Sequence, residues 1–271
     1  MSDASTEFGR ADVDLPSIAR IYDYHLGGSA NFAVDREAGD ELERIYPDQL
    51  AYCRYNRGFL WRAVRTLAVD FGIDQFLDLG SGVPTVGNVH EAAQRCYSRA
   101  RVAYVDWEAI AVHHAWRLLG PEQTRVTVTQ ADVCEPEVVL NSPGVAGLLD
   151  FTRPVGILAL GILDITTPAG GAASLMARYR DACCRGSALA VSNAAQLTAS
   201  DTQVGQINAL MAGSSTPRMH WRSREQVAGL LPGYELLEPG VVPTAAWRPE
   251  QSVSDAEADR SNAYAAVGLR P

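Results

Sequence analysis

The segment Gln75-Phe-Leu-Asp-Leu-Gly-Ser-Gly-Val-Pro-Thr-Val-Gly-Asn88 carries the clearest structural signal in the chain. Its apolar residues at 76–79 predict a short, buried parallel strand. The strand ends at Gly80-Ser81-Gly82, where the backbone can turn sharply and approach a ligand without a Cβ in the way. A helix is predicted over 86–97. Because free N–H groups at a helix start face the preceding turn, this pattern favours a nucleotide-cofactor site over an ordinary strand–helix turn.

Strands and helices alternate downstream of this segment. The alternation predicts a parallel sheet with helices on both faces, and the last part of the chain predicts an antiparallel ending on that sheet. The predicted strands are 76–79, 102–105, 125–129, 155–160, 188–191, 234–237 and 263–268, and the predicted helices are 86–97, 110–119, 136–149, 172–183 and 222–231.

The residues before the first strand have a different character. Residues 1–14 are polar and acidic and are expected to form a disordered arm. Helical spacing of apolar residues then predicts helices over 16–25, from residue 31 onward and over 50–70. We therefore expect three parts: the arm, a helical cap over residues 15–72, and a Rossmann-like domain over residues 73–271.

Composition limits the class of protein and its partners. The chain has 271 residues, of which 47% are hydrophobic and 20% charged, and its net charge of -9 argues against binding to nucleic-acid phosphates. It contains neither a signal-peptide pattern nor the ~20 consecutive apolar residues of a membrane span. Five cysteines without metal-ligand spacing predict reduced thiols. We expect a cytoplasmic protein that binds neither membranes nor a metal, and we leave open whether it forms a homo-oligomer.

Acidic residues follow two of the predicted strands. Asp106 lies 26 residues after Gly80, where an acid accepts hydrogen bonds from two ribose hydroxyls in nucleotide-binding sheets. Asp132 ends the third strand, where its carboxylate is placed to accept an adenine amino proton. Trp107 is placed either to stack on adenine or to join the core. Helix capping is the alternative role of either acid.

In these features the chain resembles the class I S-adenosylmethionine-dependent methyltransferases, and more closely an actinobacterial S-adenosyl methyltransferase family. The resemblance covers about residues 16–271. It is carried by Tyr22-Asp-Tyr-His-Leu-Gly-Gly28 with Asn31-Phe-Ala-Val-Asp-Arg36, by Phe76-Leu-Asp-Leu-Gly-Ser-Gly-Val-Pro-Thr-Val-Gly-Asn-Val-His-Glu91, by Tyr104-Val-Asp106, and by Glu238-Pro-Gly-Val-Val-Pro243 with Trp247-Arg-Pro249.

The resemblance implies a seven-stranded, mostly parallel methyltransferase sheet of the α/β class with an N-terminal helical cap, and S-adenosyl-L-methionine as cofactor. The block from residue 22 to residue 31 would close over the methionine end and the acceptor. The implied cofactor-binding residues are Gly80, Ser81, Gly82, Asn88, Asp106, Trp107, Asp132, Val133 and Gly161.

The chain departs from the family pattern on the side of the acceptor. Trp107-Glu108 replaces the more usual Asn-Asp after the ribose acid, and Asp164 stands where a histidine commonly follows the fourth strand. Ser29-Ala30 follows the glycine pair in place of a basic residue or histidine. These departures indicate an intact cofactor site with a specialised acceptor pocket.

The sulfonium cofactor brings its own electrophile, so the protein has to align the acceptor and exclude water. A phenol or amine acceptor also needs a base near its proton. Tyr24, His25 and Asp164 are the candidates for this role, and a structural role is the alternative for each. The expected acceptor is a small, aromatic metabolite. Carbon methylation of an indole in natural-product biosynthesis is one option that the resemblance suggests.

Two other functions fit parts of the sequence. A nicotinamide oxidoreductase would use a similar strand–turn–helix unit, but its glycine fingerprint is incomplete here and no hydride-transfer residues stand out. A non-catalytic protein that binds S-adenosylmethionine as a sensor or partner module is the principal alternative, since the divergent residues are those on the acceptor side.

Overall fold

The computed structural model describes residues 13–83, 87–120, 124–166, 170–216 and 219–271. The expected start of a helix at Val86 and residues 1–12 of the expected N-terminal arm lie outside these ranges.

An eight-stranded sheet forms the centre of the molecule, and helices precede, separate and follow its strands. Seven strands are ordered β3-β2-β1-β4-β5-β8-β6, and β7 pairs with β8 beside this path. The strands are β1 Gln75–Leu79, β2 Arg101–Asp106, β3 Val126–Gln130, β4 Gly156–Leu160, β5 Ala188–Ala194, β6 Glu235–Leu236, β7 Val242–Pro243 and β8 Ala263–Leu269.

The helices are α1 Ile18–His25, α2 Ala33–Ile45, α3 Gln49–Phe71, α4 Val89–Cys96, α5 Ala109–Leu119, α6 Pro136–Asn141, α7 Pro143–Ala146, α8 Ala172–Ala182, α9 Asp201–Met211, α10 Arg224–Ala228 and α11 Asp255–Asp259, with a 3₁₀ turn at Thr244–Ala246. In the described part of the chain, no helix has both the length and the apolar character needed to cross a membrane.

The first five strands run parallel and the end of the sheet is antiparallel, as the alternation of elements predicts. Strand β1 pairs in parallel with β2 on one side and with β4 on the other. Strand β8 runs antiparallel to β5, β6 and β7. The order therefore reverses between β1 and β4, and this switch leaves a crevice at the carboxyl ends of those two strands.

Two hydrophobic cores cover the two faces of the sheet. Leu77 and Ile157 pack in one core, whereas their chain neighbours Phe76 and Leu158 pack in the other. Successive side chains of a strand point to opposite faces, so each strand contributes to both cores. The residues of β1, β4 and β5 are buried almost throughout, which is typical of parallel strands covered on both sides.

The three N-terminal helices pack in two different hydrophobic clusters. Phe59 and Leu67 of α3 pack in the same core as Phe76 of β1. Helices α1 and α2 instead form a third cluster with α9, in which Ile21 and Leu42 contact the helix that carries Ile207. The C-terminal half of α3 is thus part of the sheet's cover, while the α1–α2 pair borders the crevice and packs against α9.

Several predicted boundaries differ from the structure, and their physical reasons differ. Strand β5 continues through Ser192 and Asn193, which the sequence pattern placed after the strand, because β8 pairs with it as far as Ala194. The helix predicted over 136–149 is two short helices separated by Ser142, since the residue before Pro143 is disfavoured in helical geometry. Helix α9 was not predicted, although Ser200 and Gln203 form a capping box at its start.

Candidate active site

Two glycine turns border the crevice at the sheet's switch point. Gly80 follows β1 with φ +70° and Gly161 follows β4 with φ +71°, conformations that favour glycine. At Gly80 a Cβ would lie 2.4 Å from the Ile162 side chain, so the turns after β1 and β4 are packed directly together. The Gly80 and Ser81 N–H groups donate to the Val105 carbonyl, at 2.8 and 3.1 Å, which fixes the start of the turn against β2.

A cavity opens over these turns. The sheet contributes the turns after β1, β2 and β4, and helices α1 and α3 form the opposite wall. Apolar side chains make up much of the wall away from the glycine turns: Ile18, Ile21, Leu42, Leu60, Ile165 and Met219.

Gly82 leaves the backbone open toward the cavity. Its φ is +61°, and a Cβ built on it would contact only the Ala19 side chain, at 3.6 Å, among the described residues. A ligand can therefore approach the main chain here as closely as van der Waals contact with backbone atoms allows.

Asp106 lies at the end of β2 beside this turn. One of its carboxylate oxygens accepts a hydrogen bond from the Gly82 N–H at 2.7 Å, and the other accepts one from the Glu108 N–H at 2.9 Å. Burial raises the pKa of Asp106, while these backbone hydrogen bonds oppose the rise. Since a carboxylate oxygen has two lone pairs, each oxygen keeps one for a ligand hydroxyl.

Asp164 occupies the β4 side of the cavity. Its Oδ2 accepts hydrogen bonds from the Ala194 N–H at 3.0 Å and from the Tyr52 hydroxyl at 3.3 Å. Its Oδ1 is buried and has no hydrogen-bond partner among the described residues. Burial raises the pKa of Asp164 to about 6, against the Ala194 hydrogen bond and the charge of Arg222. The carboxyl group is therefore able to accept or hold a proton near neutral pH.

Helix α3 supplies a row of polar side chains to the same cavity. Asn56 accepts a hydrogen bond from the buried Ser192 hydroxyl at 2.6 Å, which ties α3 to β5. Tyr22 donates to the Cys53 carbonyl at 2.9 Å and so joins α1 to α3. Burial raises the pKa of Tyr52 well above its usual value, with the Asp164 charge adding to the effect, so its phenol stays neutral and acts as a donor.

A buried ion network joins α1 and α2 to the loop after β2. Arg20 donates to Asp35 at 2.8 Å and also pairs with Glu108. The Ser17 hydroxyl donates to Glu108 at 2.6 Å, and the Phe32 N–H donates to Asp35 at 2.9 Å. Through this network the α1–α2 pair is fixed next to Asp106.

The glycine-pair turn after α1 is held in a similar way. Asp23 accepts hydrogen bonds from the Ala30 N–H at 2.9 Å and from the Asn31 amide at 2.7 Å. Ala30 in turn packs with Val83 and Ala111. This turn therefore lies against the loop that follows Gly82.

The predicted site residues separate into two groups. Those that line the main cavity are Gly80, Ser81, Gly82, Asp106, Trp107, Gly161 and Asp164. Trp107 is 53% exposed, so it lies at the rim of the cavity and not in the core. The residues that do not line it are Asn88, Asp132, Val133, Tyr24 and His25.

Asn88 precedes α4 and donates to Glu91 at 3.0 Å. Asp132 is exposed and accepts from the Cys134 N–H at 2.8 Å. Val133 is buried, and its carbonyl accepts from the Tyr179 hydroxyl at 2.8 Å. The loop that carries Asp132 adjoins the end of β2, because the Ala131 N–H donates to the Asp106 carbonyl at 3.0 Å.

Tyr24 and His25 line a separate hollow between α1, α2 and α3. The Tyr24 hydroxyl donates to Asp40 at 2.7 Å, and this bond is the main reason why the pKa of Tyr24 is raised. Burial lowers the pKa of His25. The structure thus brings Asp164, but neither Tyr24 nor His25, to the cavity that contains the glycine turns.

Sequence reasoning missed the polar residues that α3 and β1 give to the cavity: Gln49, Tyr52, Asn56, Arg57 and Asp78. A signal for Asp78 was available, because a carboxylate stands inside an otherwise apolar strand. The polar positions of α3 gave a weaker signal, since an amphipathic helix is expected to have them. Within the described ranges, no group of three or more His, Cys, Asp or Glu residues is arranged to hold a metal ion.

Comparison with known proteins gives a consistent answer. The model of the S-adenosyl methyltransferase family matches residues 4–271. A proposed methyltransferase from Thermobifida fusca YX is 36% identical, with a TM-score of 0.88 and 96% of each chain covered. A DUF574 family protein from Streptomyces avermitilis MA-4680 is 34% identical, with a TM-score of 0.88 and coverage of 97% of this chain and 100% of that one.

The chain is also similar to more distantly related solved structures, but only in its fold. The mitomycin 7-O-methyltransferase superimposes with a TM-score of 0.50 at 15% identity, covering 93% of this chain and 68% of that one. No protein of curated function matches the chain. Since the family model spans nearly the whole sequence, the chain belongs to the S-adenosyl methyltransferase family and is a methyltransferase whose cofactor is S-adenosyl-L-methionine.

Proposed function

We propose that this enzyme methylates a small aromatic metabolite that presents one N–H or O–H group to Asp164. The supporting observation is the buried Oδ1 of Asp164, a hydrogen-bond acceptor without a partner among the described residues, in a largely apolar cavity. A buried polar atom of this kind is costly unless a ligand satisfies it. An aromatic ring with a single hydrogen-bond donor would pack against the apolar lining of the cavity and donate to Asp164.

The cofactor half of the cavity is proposed to use the residues around the glycine turns. Asp106 would accept the ribose hydroxyls through the free lone pairs of its oxygens, and the bare backbone at Gly82 would let the cofactor lie against the main chain. Gly80, Ser81 and Gly161 would border the methionine part. Trp107 at the rim would cover the adenine, and the loop of Asp132 and Val133 would approach it from β3.

S-Adenosyl-L-methionine, held by the residues around the glycine turns, would supply an electrophilic methyl group to the acceptor. Asp164 would take the proton that the acceptor loses. Tyr52 orients the Asp164 carboxylate through its hydroxyl. The α1–α2 pair excludes water from the reacting atoms.

An indole methylated at a ring carbon is the acceptor that we favour. Its carbon attacks without prior ionisation, and the positive charge that develops on the ring is relieved when Asp164 accepts the N–H proton. A role in natural-product biosynthesis, in the cytoplasm, is part of this proposal and is supported only by the family resemblance. A phenol or an aromatic amine would use the same acid on its own proton.

The test is a turnover assay with the purified full-length chain, S-adenosyl-L-methionine and a panel of indoles, phenols and aromatic amines. Mass spectrometry would detect the methylated product, and its fragments would locate the methyl group. Product formation that depends on Asp164 supports the proposal. Tight cofactor binding without turnover of any aromatic acceptor would instead favour the alternative of a sensor or partner module.

A further inference from the structure

Helix α3 presents one face to the main cavity over about three helical turns. Gln49, Tyr52, Asn56 and Leu60 follow one another at intervals of three or four residues, and all of them line the cavity. Residues at this spacing lie on the same side of a helix. Each position on this face therefore meets a different part of a ligand in the cavity.

Contacts with the turn after β4 fix the direction of this face. A Cβ added at Gly161 would lie 3.7 Å from both the Asn56 amide nitrogen and the Tyr52 hydroxyl. The Tyr52 hydroxyl also donates to Asp164 at 3.3 Å. Asn56 and Tyr52 thus lie beside the proposed methionine end of the cofactor and the proposed proton acceptor. Gln49 lies three residues before Tyr52, which places it about 4.5 Å further along the helix axis on the side away from Asn56.

Gln49 has hydrogen-bonding groups that the protein leaves largely unused. Among the described residues, its amide nitrogen donates to the Cys53 thiol alone, at 3.7 Å, and its amide oxygen accepts no hydrogen bond. Sulfur is a weak acceptor. Because the side chain is half-buried, these groups are partly withdrawn from water, and a ligand that pairs with them gains affinity.

The surroundings of Gln49 are largely apolar. Its backbone N–H donates to the Tyr46 carbonyl at 3.0 Å. Tyr46 packs in the third hydrophobic cluster with Ile21 and Leu42, which also line the cavity. An ionised group placed here would lose hydration without gaining a countercharge from Gln49, whereas a hydroxyl or a carboxamide would pair with the amide. This end of the cavity therefore suits a neutral polar group on an apolar ring.

We propose that Gln49 determines which acceptors the enzyme uses, because its amide binds a neutral hydroxyl or carboxamide substituent on the side of the aromatic ring away from the group that donates to Asp164. The helix positions of Gln49 and Tyr52 are about 4.5 Å apart along the axis, so one aromatic ring can reach both ends. The inference rests on the proposed function, since it requires an aromatic acceptor at Asp164.

Matched acceptors test this assignment. Each pair is the same indole or aromatic amine with either a hydroxyl or a methyl group on the side of the ring away from its N–H, so the two members differ in hydrogen bonding and hardly in size. The full-length chain would be assayed with saturating S-adenosyl-L-methionine, and kcat/KM would be measured for both members with the wild type and with Gln49→Leu. One hydrogen bond between neutral groups changes kcat/KM roughly threefold to tenfold.

The wild type should prefer the hydroxyl member of each pair by that factor. Gln49→Leu should remove the preference, mainly through KM, because the contact is the same in the ground state and in the transition state. Gln206→Leu is the matched control, since Gln206 is exposed on α9 and does not line the cavity. It should show the same preference as the wild type.

Two readouts separate this inference from the proposed function. The absolute rate for either member depends on Asp164 and reports the proposed function, whereas the ratio within a pair reports Gln49. Turnover without a preference for the hydroxyl member would overturn the role of Gln49 and leave the proposed function standing, as would a preference that persists in Gln49→Leu. Absence of turnover for every aromatic acceptor would overturn both. The wild-type ratio decides alone should Gln49→Leu fail to fold.

Discussion

Arg20 of α1 forms a buried ion pair with Glu108, two residues after Asp106. The side chain of Arg20 is 1% exposed and that of Glu108 is 14% exposed. The structure gives Glu108 a role, because its ion pair with Arg20 holds the α1–α2 pair next to the proposed ribose ligand. The N-terminal helices and the cofactor site should therefore lose stability together when this pair is broken.

Arg20→Met tests that coupling. The substitution removes the cation and leaves the carboxylates of Asp35 and Glu108 without their partner, and a broken buried pair typically costs about 3–5 kcal/mol. Equilibrium unfolding in urea should show this loss of unfolding free energy, and titration should show weaker binding of S-adenosylhomocysteine.

Arg44→Met is the matched control for Arg20→Met. Arg44 pairs with Glu41 on the same α1–α2 pair, but its side chain is 67% exposed, so solvent screens the interaction. Its unfolding curve should coincide with that of the wild type. If Arg20→Met behaved in the same way as Arg44→Met, the network would have no role in holding the helices.

Gly82→Ala should impair cofactor binding by obstruction. Among the described residues the new Cβ meets only Ala19, at 3.6 Å, so the expected cost to stability is that of a left-handed conformation, about 1–2 kcal/mol. It would, however, stand in the space through which we propose that the cofactor reaches the backbone. Titration with S-adenosylhomocysteine should show weaker binding together with a modest loss of thermal stability.

Gly72→Ala provides the comparison for Gly82→Ala, since Gly72 has a similar φ of +68° at the end of α3 and no described neighbour within 4 Å of the added Cβ. It should lose similar stability but keep its cofactor affinity. Parallel losses of affinity in the two variants would point to strain and not to obstruction.

The sequence could predict those parts of the fold and of the candidate site that local residue patterns determine. Local patterns located the strands of the parallel sheet and the turn at Gly80. A strand that is buried on both faces has a continuous run of apolar residues, and the turn contains glycines. The same patterns also predicted that Asp106 follows closely on a buried strand, and the structure places it at the end of β2 in the lining of the cavity. They could not show that Ser192 stays in its strand, since its hydroxyl is satisfied by Asn56, 136 positions earlier in the chain.

The assignment of roles near the acceptor depended on three-dimensional placement. Tyr24 and Tyr52 are both tyrosines in N-terminal helices, and nothing in their neighbours tells them apart. The packing of α3 on the sheet brings Tyr52 to Asp164, whereas Tyr24 faces Asp40. Proximity between distant segments is what a single sequence leaves unspecified.

This placement leads to a paired prediction for the two tyrosines. Tyr52→Phe removes the hydroxyl that donates to Asp164 and should slow methyl transfer roughly tenfold, the effect of one hydrogen bond to a charged group, with little change in cofactor affinity. Tyr24→Phe should leave the rate unchanged, because its hydroxyl lies in the other hollow. Single-turnover assays of both variants make the comparison. A slower rate for Tyr24→Phe would contradict the proposal that the acceptor binds in the cavity that Asp164 lines.

Asp106→Asn should weaken recognition of the nucleoside itself. The amide retains one acceptor oxygen but loses the charge and half of the acceptor sites, so affinity should fall roughly tenfold to a hundredfold. Adenosine and S-adenosylhomocysteine should be affected equally, because both carry the ribose. Titration with the two ligands checks this expectation, and a loss confined to S-adenosylhomocysteine would move Asp106 away from the ribose.

The raised pKa of Asp164 predicts that the rate of methyl transfer decreases at acid pH, which gives an acid limb in the pH–rate profile. The carboxyl group must be ionised to accept the acceptor's proton, and burial raises its pKa to about 6 despite the charge of Arg222. The ionised fraction therefore decreases as the pH falls through about 6, and kcat should decrease about tenfold per pH unit below it. Above about pH 7 the carboxylate is ionised and kcat should be level.

The measurement has to separate Asp164 from Asp78, which lines the same cavity and whose pKa burial raises to about 7. Saturating S-adenosyl-L-methionine does so, because kcat then reports the bound enzyme and any effect of Asp78 on cofactor binding appears only in KM. Asp164→Asn should abolish the limb and leave a low rate that does not vary with pH. A wild-type kcat that is level between pH 5 and pH 8 would exclude Asp164 as the proton acceptor.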